Sequence, residues 1–242
     1  VEDYETEVRN PGGLNKLEGE IRVQERYESC KKVWDDIFTK EAARVPGDKT
    51  LENRGLNSGI DWLCAGTDFV LDFGCGNGIM LFYCALRGTK KHLGIDISPE
   101  AISLANRSKA KMPRGEFEFC QGDVSFLESL EDSLVDGVVL SNIIDNLYPE
   151  DAAKLLAQVN RVLRPGGKVL VKLNPYLEQK QIEAWKIKVI AGNLLDDGLL
   201  LWNQTTDEWT KMFGEYFLVQ DYKEIFYEEY EQYNRLFLLI KS

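Results

Sequence analysis

The sequence predicts an α/β fold: a doubly wound, mostly parallel seven-stranded sheet with an antiparallel last strand and helices on both faces. An N-terminal helical cap and an insertion after the fifth strand complete the prediction. Three observations carry it. Short apolar runs alternate with helical periodicities between residues 69 and 174, as strands buried on both faces and joined by right-handed crossover helices require. A glycine-rich turn links the first run to the helix after it. The last two apolar runs lie close enough in sequence to pair antiparallel.

Residues 69–73 form the first strand, ending in glycine-rich sequence, and Ile79 to Leu86 reads as a helix. His92 to Asp96 is the second strand. Ser98-Pro99-Glu100 follows, with Ser as cap, Pro suited to the first helical position and Glu favouring the positive end of a helix that runs to about Lys109. Phe117 to Cys120 and Leu134 to Ser141 are the third and fourth strands. From Pro149 to Leu163, Ala152, Leu155, Leu156, Val159 and Val162 recur at helical spacing. Arg164-Pro165-Gly166-Gly167 breaks the chain before a fifth strand, Lys168 to Leu173. Beyond it, Glu178 to Ala191 reads as helical, and the apolar runs within Asn193 to Asn203, around Asp196-Asp197-Gly198, read as a hairpin. Thr206-Asp207-Glu208-Trp209 resembles a helix start, and Tyr216 to Tyr222 and Leu236 to Lys241 are the final strands. At the front, Ile21, Tyr27, Val33, Trp34 and Ile37 give helical spacing from Leu17 to about Arg44. Residues 1–60 are therefore read as a cap or lid, 61–242 as the main domain, and 176–204 as a second part of the lid.

Composition narrows the class. The 242 residues are 44% hydrophobic, enough for one sizeable core. No apolar run is long enough to span a bilayer, and Val1 to Glu20 is charged, unlike a secretory leader. Five cysteines (Cys30, Cys64, Cys75, Cys84, Cys120) without a C-x-x-C pair fit neither a disulfide framework nor a zinc site, so a reduced, cytoplasmic setting and no metal are expected. The formal net charge of −11 disfavours a nucleic-acid partner, because phosphate binding draws on positive surface. A small-molecule substrate is expected instead, and the oligomeric state is left open.

Val70-Leu71-Asp72-Phe73-Gly74-Cys75-Gly76-Asn77-Gly78 is the strongest local signal. Its glycines let backbone approach a ligand, and the helix it opens offers unpaired N–H donors. The spacing is G-x-G-x-G, with an acid on the preceding strand, rather than the dinucleotide-binding G-x-G-x-x-G. Asp96 ends the second strand, where two carboxylate oxygens can accept both hydroxyls of a ribose. Gly122-Asp123-Val124 follows the third strand, Val135-Asp136-Gly137-Val138-Val139-Leu140-Ser141-Asn142 spans the fourth, and Leu163-Arg164-Pro165-Gly166-Gly167-Lys168 turns into the fifth.

These ordered segments, covering residues 69 to 174, resemble class I S-adenosylmethionine-dependent methyltransferases. The resemblance implies S-adenosylmethionine as cofactor, with S-adenosylhomocysteine as product, and transfer of a methyl group by in-line displacement. It implies that Asp72, Gly74, Cys75 and Gly76 form the first cofactor motif and that Asp96, with Ile97 beside it, meets the ribose. Asp123 would meet the adenine amino group and the Val124 N–H the ring, while Ser141 and Asn142 would lie beside the methionyl part and the acceptor. Tyr27, Trp34, Asn142, Trp185 and Trp202 are candidate acceptor contacts from the lid.

Structural readings stand beside these. Cys75, with no base near it in sequence, is filler in a glycine loop rather than a nucleophile. His92, the only histidine, has a structural or exposed role. The tryptophans, Trp209 included, are by default packing residues. Glu224 to Tyr233 could attract a cationic amine through carboxylates and ring faces, but a solvated connector is the simpler reading. Asn174-Pro175-Tyr176 follows the wrong strand to be an amino-methylating motif. Two rivals stay open: a non-catalytic cofactor-binding module or partner subunit, and a dinucleotide-dependent oxidoreductase. A polyamine-synthase-like enzyme would need an acidic motif after the fourth strand, where only Asp145 stands.

Overall fold

The computed structural model describes residues 11–242, with side chains from residue 26 onward. The charged opening residues 1–10, and the side chain of Ile21, lie outside the described part. One seven-stranded sheet organises the chain, in the order β3-β2-β1-β4-β5-β10-β9. Its strands are β1 (Phe69–Phe73), β2 (Lys91–Asp96), β3 (Glu116–Gln121), β4 (Val135–Ser141), β5 (Leu163–Leu173), β9 (Leu218–Tyr227) and β10 (Gln232–Ile240). β1 to β5 are mutually parallel, and β10 runs antiparallel to both β5 and β9. The strand order reverses between β1 and β4, and a crevice opens beyond the strand ends at such a switch point.

Alternating side chains divide the core into two layers. Leu71, Val138, Val169, Val171 and Phe237 meet α5 (Pro149–Val162) and α7 (Thr206–Gly214) on one face. Val70, Val139, Leu170 and Leu236 meet α2 (Arg54–Cys64) and α3 (Ile79–Leu86) on the other. α2 begins inside the stretch read as cap, yet Leu56 and Ile60 are buried against the sheet. The long helix α1 (Pro11–Lys40) packs along α4 (Pro99–Lys109). α4 starts where its sequence specifies, with Ser98 Oγ accepting from Ala101 N at 3.0 Å and Pro99 in the first turn.

Three local expectations are corrected. The helix expected over Glu178–Ala191 stops early: α6 spans Gln179–Trp185, Lys186 turns left-handed at φ 56°, and β6 (Lys188–Ala191) pairs with β7 (Leu194–Asp196). β7 continues into β8 (Leu200–Trp202) as the expected hairpin. Leu163 already pairs with Val135, and the residues up to Lys168 bulge from the ladder before pairing resumes at Gly137. The last helix starts at Thr206 as read, capped by Thr205 with Glu208 in a reciprocal capping box. Finally, Glu224 to Tyr233 is largely strand: β9 and β10 carry it on either side of a short turn, Glu228–Tyr230.

His92 sits within β2, 2% exposed, between Thr89 Oγ1 at 2.7 Å and the Glu116 carbonyl at 3.0 Å. Its role is structural.

Candidate active site

A cavity of about 320 Å³ occupies the switch-point crevice. The glycine loop after β1 forms its floor. Gly74 N and Cys75 N both donate to the Ile95 carbonyl, at 2.8 and 3.0 Å, locking the loop to the end of β2. Gly74 and Gly76 have φ of +74° and +52°, a region unfavourable to residues with a Cβ. A Cβ at Gly74 would lie 2.8 Å from Ile143, and one at Gly76 would lie 3.0 Å from Phe38. The loop thus brings bare backbone to the cavity where no side chain fits.

Three carboxylates lie along the crevice. Asp96 accepts from Gly76 N at 2.8 Å through one oxygen and from Ser98 N at 2.9 Å through the other. Each oxygen keeps a second lone pair. Burial raises its pKa and the two backbone donors oppose that rise. Asp72, 1% exposed, is pushed up to about 8 by burial and by the neighbouring Asp96, and its Oδ1 has no partner among the described residues. Asp123 caps the turn after β3, accepting from Ser125 N at 2.8 Å and Ser125 Oγ at 2.6 Å. Ile97, Val124, Ser141 and Asn142 also line the cavity, so all nine sequence-read cofactor positions meet there. Asn142 takes a left-handed φ of 53° at the strand exit, where its N–H donates to the Lys172 carbonyl at 2.7 Å. Cys75 lines the wall as a buried thiol whose pKa burial and the nearby carboxylates push up, which suits filler and not a nucleophile.

α1 roofs the cavity with Tyr27, Cys30, Trp34 and Phe38. Tyr27 Oη donates to Asp151 at 2.8 Å and accepts from Tyr148 N at 2.9 Å, tying the helix to the start of α5. Ser98 Oγ donates to Asp35, and Asn77 Nδ2 to Glu41 at 3.0 Å, so the roof is fastened to both cofactor-side turns. Of residues 176–204, the stretch expected to form the second part of a lid, Leu199 and Leu200 line the cavity. Trp202 is elsewhere: it is buried against Trp209, with Nε1 donating to Asn193 at 3.1 Å. Trp185 is 61% exposed and borders a separate cleft of about 880 Å³. That cleft also takes Glu224, Tyr230, Glu231 and Tyr233, with Arg235 at its base, and shares Asn146, Leu199 and Leu200 with the first cavity.

Sequence reasoning missed Lys172, which lines the cavity from the end of β5. Its signal was present: a lysine within Val169-Leu170-Val171-Lys172-Leu173, a strand otherwise apolar on both faces. Asp145, the acid after β4, is fully buried and not at the cavity; Oδ2 accepts from Asn174 N at 2.7 Å and joins the exits of β4 and β5. Among the described residues no group of three or more His, Cys, Asp or Glu could hold a metal ion, and no helix is long and apolar enough to cross a membrane.

Comparison with known proteins agrees with this geometry. Residues 71–171 match the methyltransferase domain family. An arsenite methyltransferase of Halobacterium salinarum is 36% identical over 136 residues, covering 53% of this chain and 34% of its own length. A tRNA N(3)-methylcytidine methyltransferase of Schizosaccharomyces pombe is 25% identical over 202 residues, covering 78% and 64%. The chain therefore spans less than two thirds of these relatives. In fold, it is similar to a Burkholderia thailandensis 1,6-didemethyltoxoflavin-N1-methyltransferase solved with S-adenosylhomocysteine (TM-score 0.59, 18% identity, 99% and 93% of the two chains). A methyltransferase of Methanosarcina mazei gives a TM-score of 0.60 at 21% identity, over 72% and 92%. Glycine loop, strand-end acids, sheet order and family match converge on one conclusion: residues 71–171 form the core of a methyltransferase domain with the class I, S-adenosylmethionine-dependent architecture.

Proposed function

We propose that the chain transfers the methyl group of S-adenosylmethionine to a small organic acceptor. The observation that carries this reading is the roofed, largely apolar recess continuous with the glycine loop, walled by Tyr27, Ile143, Leu147, Leu199 and Leu200. A space of that kind suits a small molecule taken out of water better than a phosphate backbone, and the net charge of −11 points the same way.

In this reading the free lone pairs of Asp96 receive the ribose hydroxyls, Asp123 and the Val124 N–H receive adenine, and the bare backbone of Gly74, Cys75 and Gly76 leaves room for the methionyl end. Asp72, buried beneath the loop and holding its proton up to about pH 8, offers its unpartnered oxygen as a polar contact under the ligand. Ser141 and Asn142 stand where donor and acceptor meet. When bound, S-adenosylmethionine supplies a methyl group on a sulfonium. The protein's contribution is alignment and exclusion of water, for which no obligatory acid or base is needed.

Titration calorimetry with S-adenosylhomocysteine and with NAD tests the cofactor half: heat with the first alone is expected, and heat with NAD alone would restore the oxidoreductase. Turnover of transfer RNA in preference to small acceptors would overturn the acceptor half.

A further inference from the structure

Among the described residues, Lys172 is the only cation lining the cavity. It lies opposite Ser141 of β4 in the sheet register, at the recess and not beside the strand-end carboxylates. Among the described residues its Nζ has no hydrogen-bond or ion-pair partner, and it lies 5.3 Å from the centre of the Tyr227 ring. Burial pushes the ammonium below the ordinary lysine value, and the charge of Asp145 opposes that. A cation on the lining of a largely apolar recess, with no group paired to it directly, favours an anionic guest.

We infer that the acceptor is an oxygen acid of the phenol or enol type, whose oxyanion is received by Lys172. This rests on the methyltransferase reading above and deepens it. An amine would arrive as an ammonium beside Lys172; the carboxylates of the same lining, Asp72, Asp96 and Asp123, belong to the cofactor in this reading, and Asp145 lies outside the lining. A phenol or enol releases its proton to water on binding, and its oxyanion pairs with the ammonium. The O–CH3 bond then forms as the S–CH3 bond breaks, the electron pair staying on sulfur, so one negative and one positive charge cancel. The apolar walls favour that cancellation.

The test uses the whole chain loaded with S-adenosylhomocysteine, and para-nitrophenol as probe, read by the visible absorbance of its phenolate. The native chain is expected to raise the acid constant of the bound phenol about tenfold or more, as an opposite charge at close range does. Lys172→Met, apolar and of similar length, should abolish that rise while leaving affinity for S-adenosylhomocysteine within about twofold. Lys172→Arg, which keeps the charge, should retain most of the rise and stands in if the methionine variant melts early. Binding of para-nitrophenol as the neutral phenol, or no binding to the loaded protein, overturns the proposal. A loss of S-adenosylhomocysteine affinity in Lys172→Met also overturns it, by assigning the lysine to the cofactor's carboxylate. Failure of the native chain to bind S-adenosylhomocysteine at all removes the cofactor reading itself.

Discussion

Replacing Asp72 by Asn should make the protein more stable at mildly alkaline pH and should not do so at mildly acidic pH. The carboxyl is buried beneath the glycine loop and is pushed up to about 8, against an ordinary value of 3.8. In the folded protein it keeps its proton through a range where the unfolded chain has released it. Folding stability therefore falls as pH climbs from about 4 to about 8 and is flat, for this group, outside that window. Each pH unit of the window is worth about 1.4 kcal/mol, which sets a ceiling of about 6 kcal/mol; relaxation of the surroundings and entry of water bring the expected penalty to about 2–3 kcal/mol. Asparagine is neutral throughout and of the same shape, so the variant lacks the slope. At this chain length, about 2–3 kcal/mol corresponds to a midpoint gain of roughly 5–10 °C near pH 8.5, fading towards pH 4.5. Thermal melts of both proteins across that range give the result as a difference, in which contributions of Asp96 and Asp145 common to both largely cancel. A gap that stays constant from acid to alkali would refute the reasoning, because it would mean that Asp72 ionises at an ordinary pH.

Three further outcomes follow from the same geometry. Gly76→Val places a branched side chain at a φ of +52° and against Phe38, and should weaken S-adenosylhomocysteine binding by at least about tenfold in calorimetry while destabilising the fold by about 1–2 kcal/mol. Tyr27→Phe leaves Asp151 and the Tyr148 N–H without their shared hydroxyl, and should cost about 1–3 kcal/mol in urea titration, with earlier proteolytic cleavage within α1. Trp202→Ala should cost about 3–5 kcal/mol by the same titration and leave cofactor affinity unchanged, as core packing against Trp209 requires.

The parallel strands were legible because burial on both faces writes them as continuous apolar runs, and turns that bind backbone were legible because glycine and acid must stand at fixed offsets there. The same logic located the cofactor-side positions in one crevice. It failed where distant partners decide. Lys188-Val189-Ile190-Ala191 fits a helix as well as a strand by local pattern, and its side chains are all exposed; pairing with β7 makes it β6. Trp185 and Trp202 have the same chemistry as Trp34, yet only the path of the chain puts Trp34 over the glycine loop. Lys172 was visible as a charge in an apolar strand, but no local rule says whether such a residue points into a cavity or snorkels to solvent.

The single imidazole of this protein is enclosed between a threonine hydroxyl and a backbone carbonyl, and burial holds its pKa down at about 4. It therefore stays uncharged across the whole range in which histidines ordinarily titrate. Asp72, pushed up to about 8 by burial and by Asp96, is the buried acid that changes its proton near neutrality instead. The pH response that most proteins draw from a ring nitrogen is here vested in a carboxyl group.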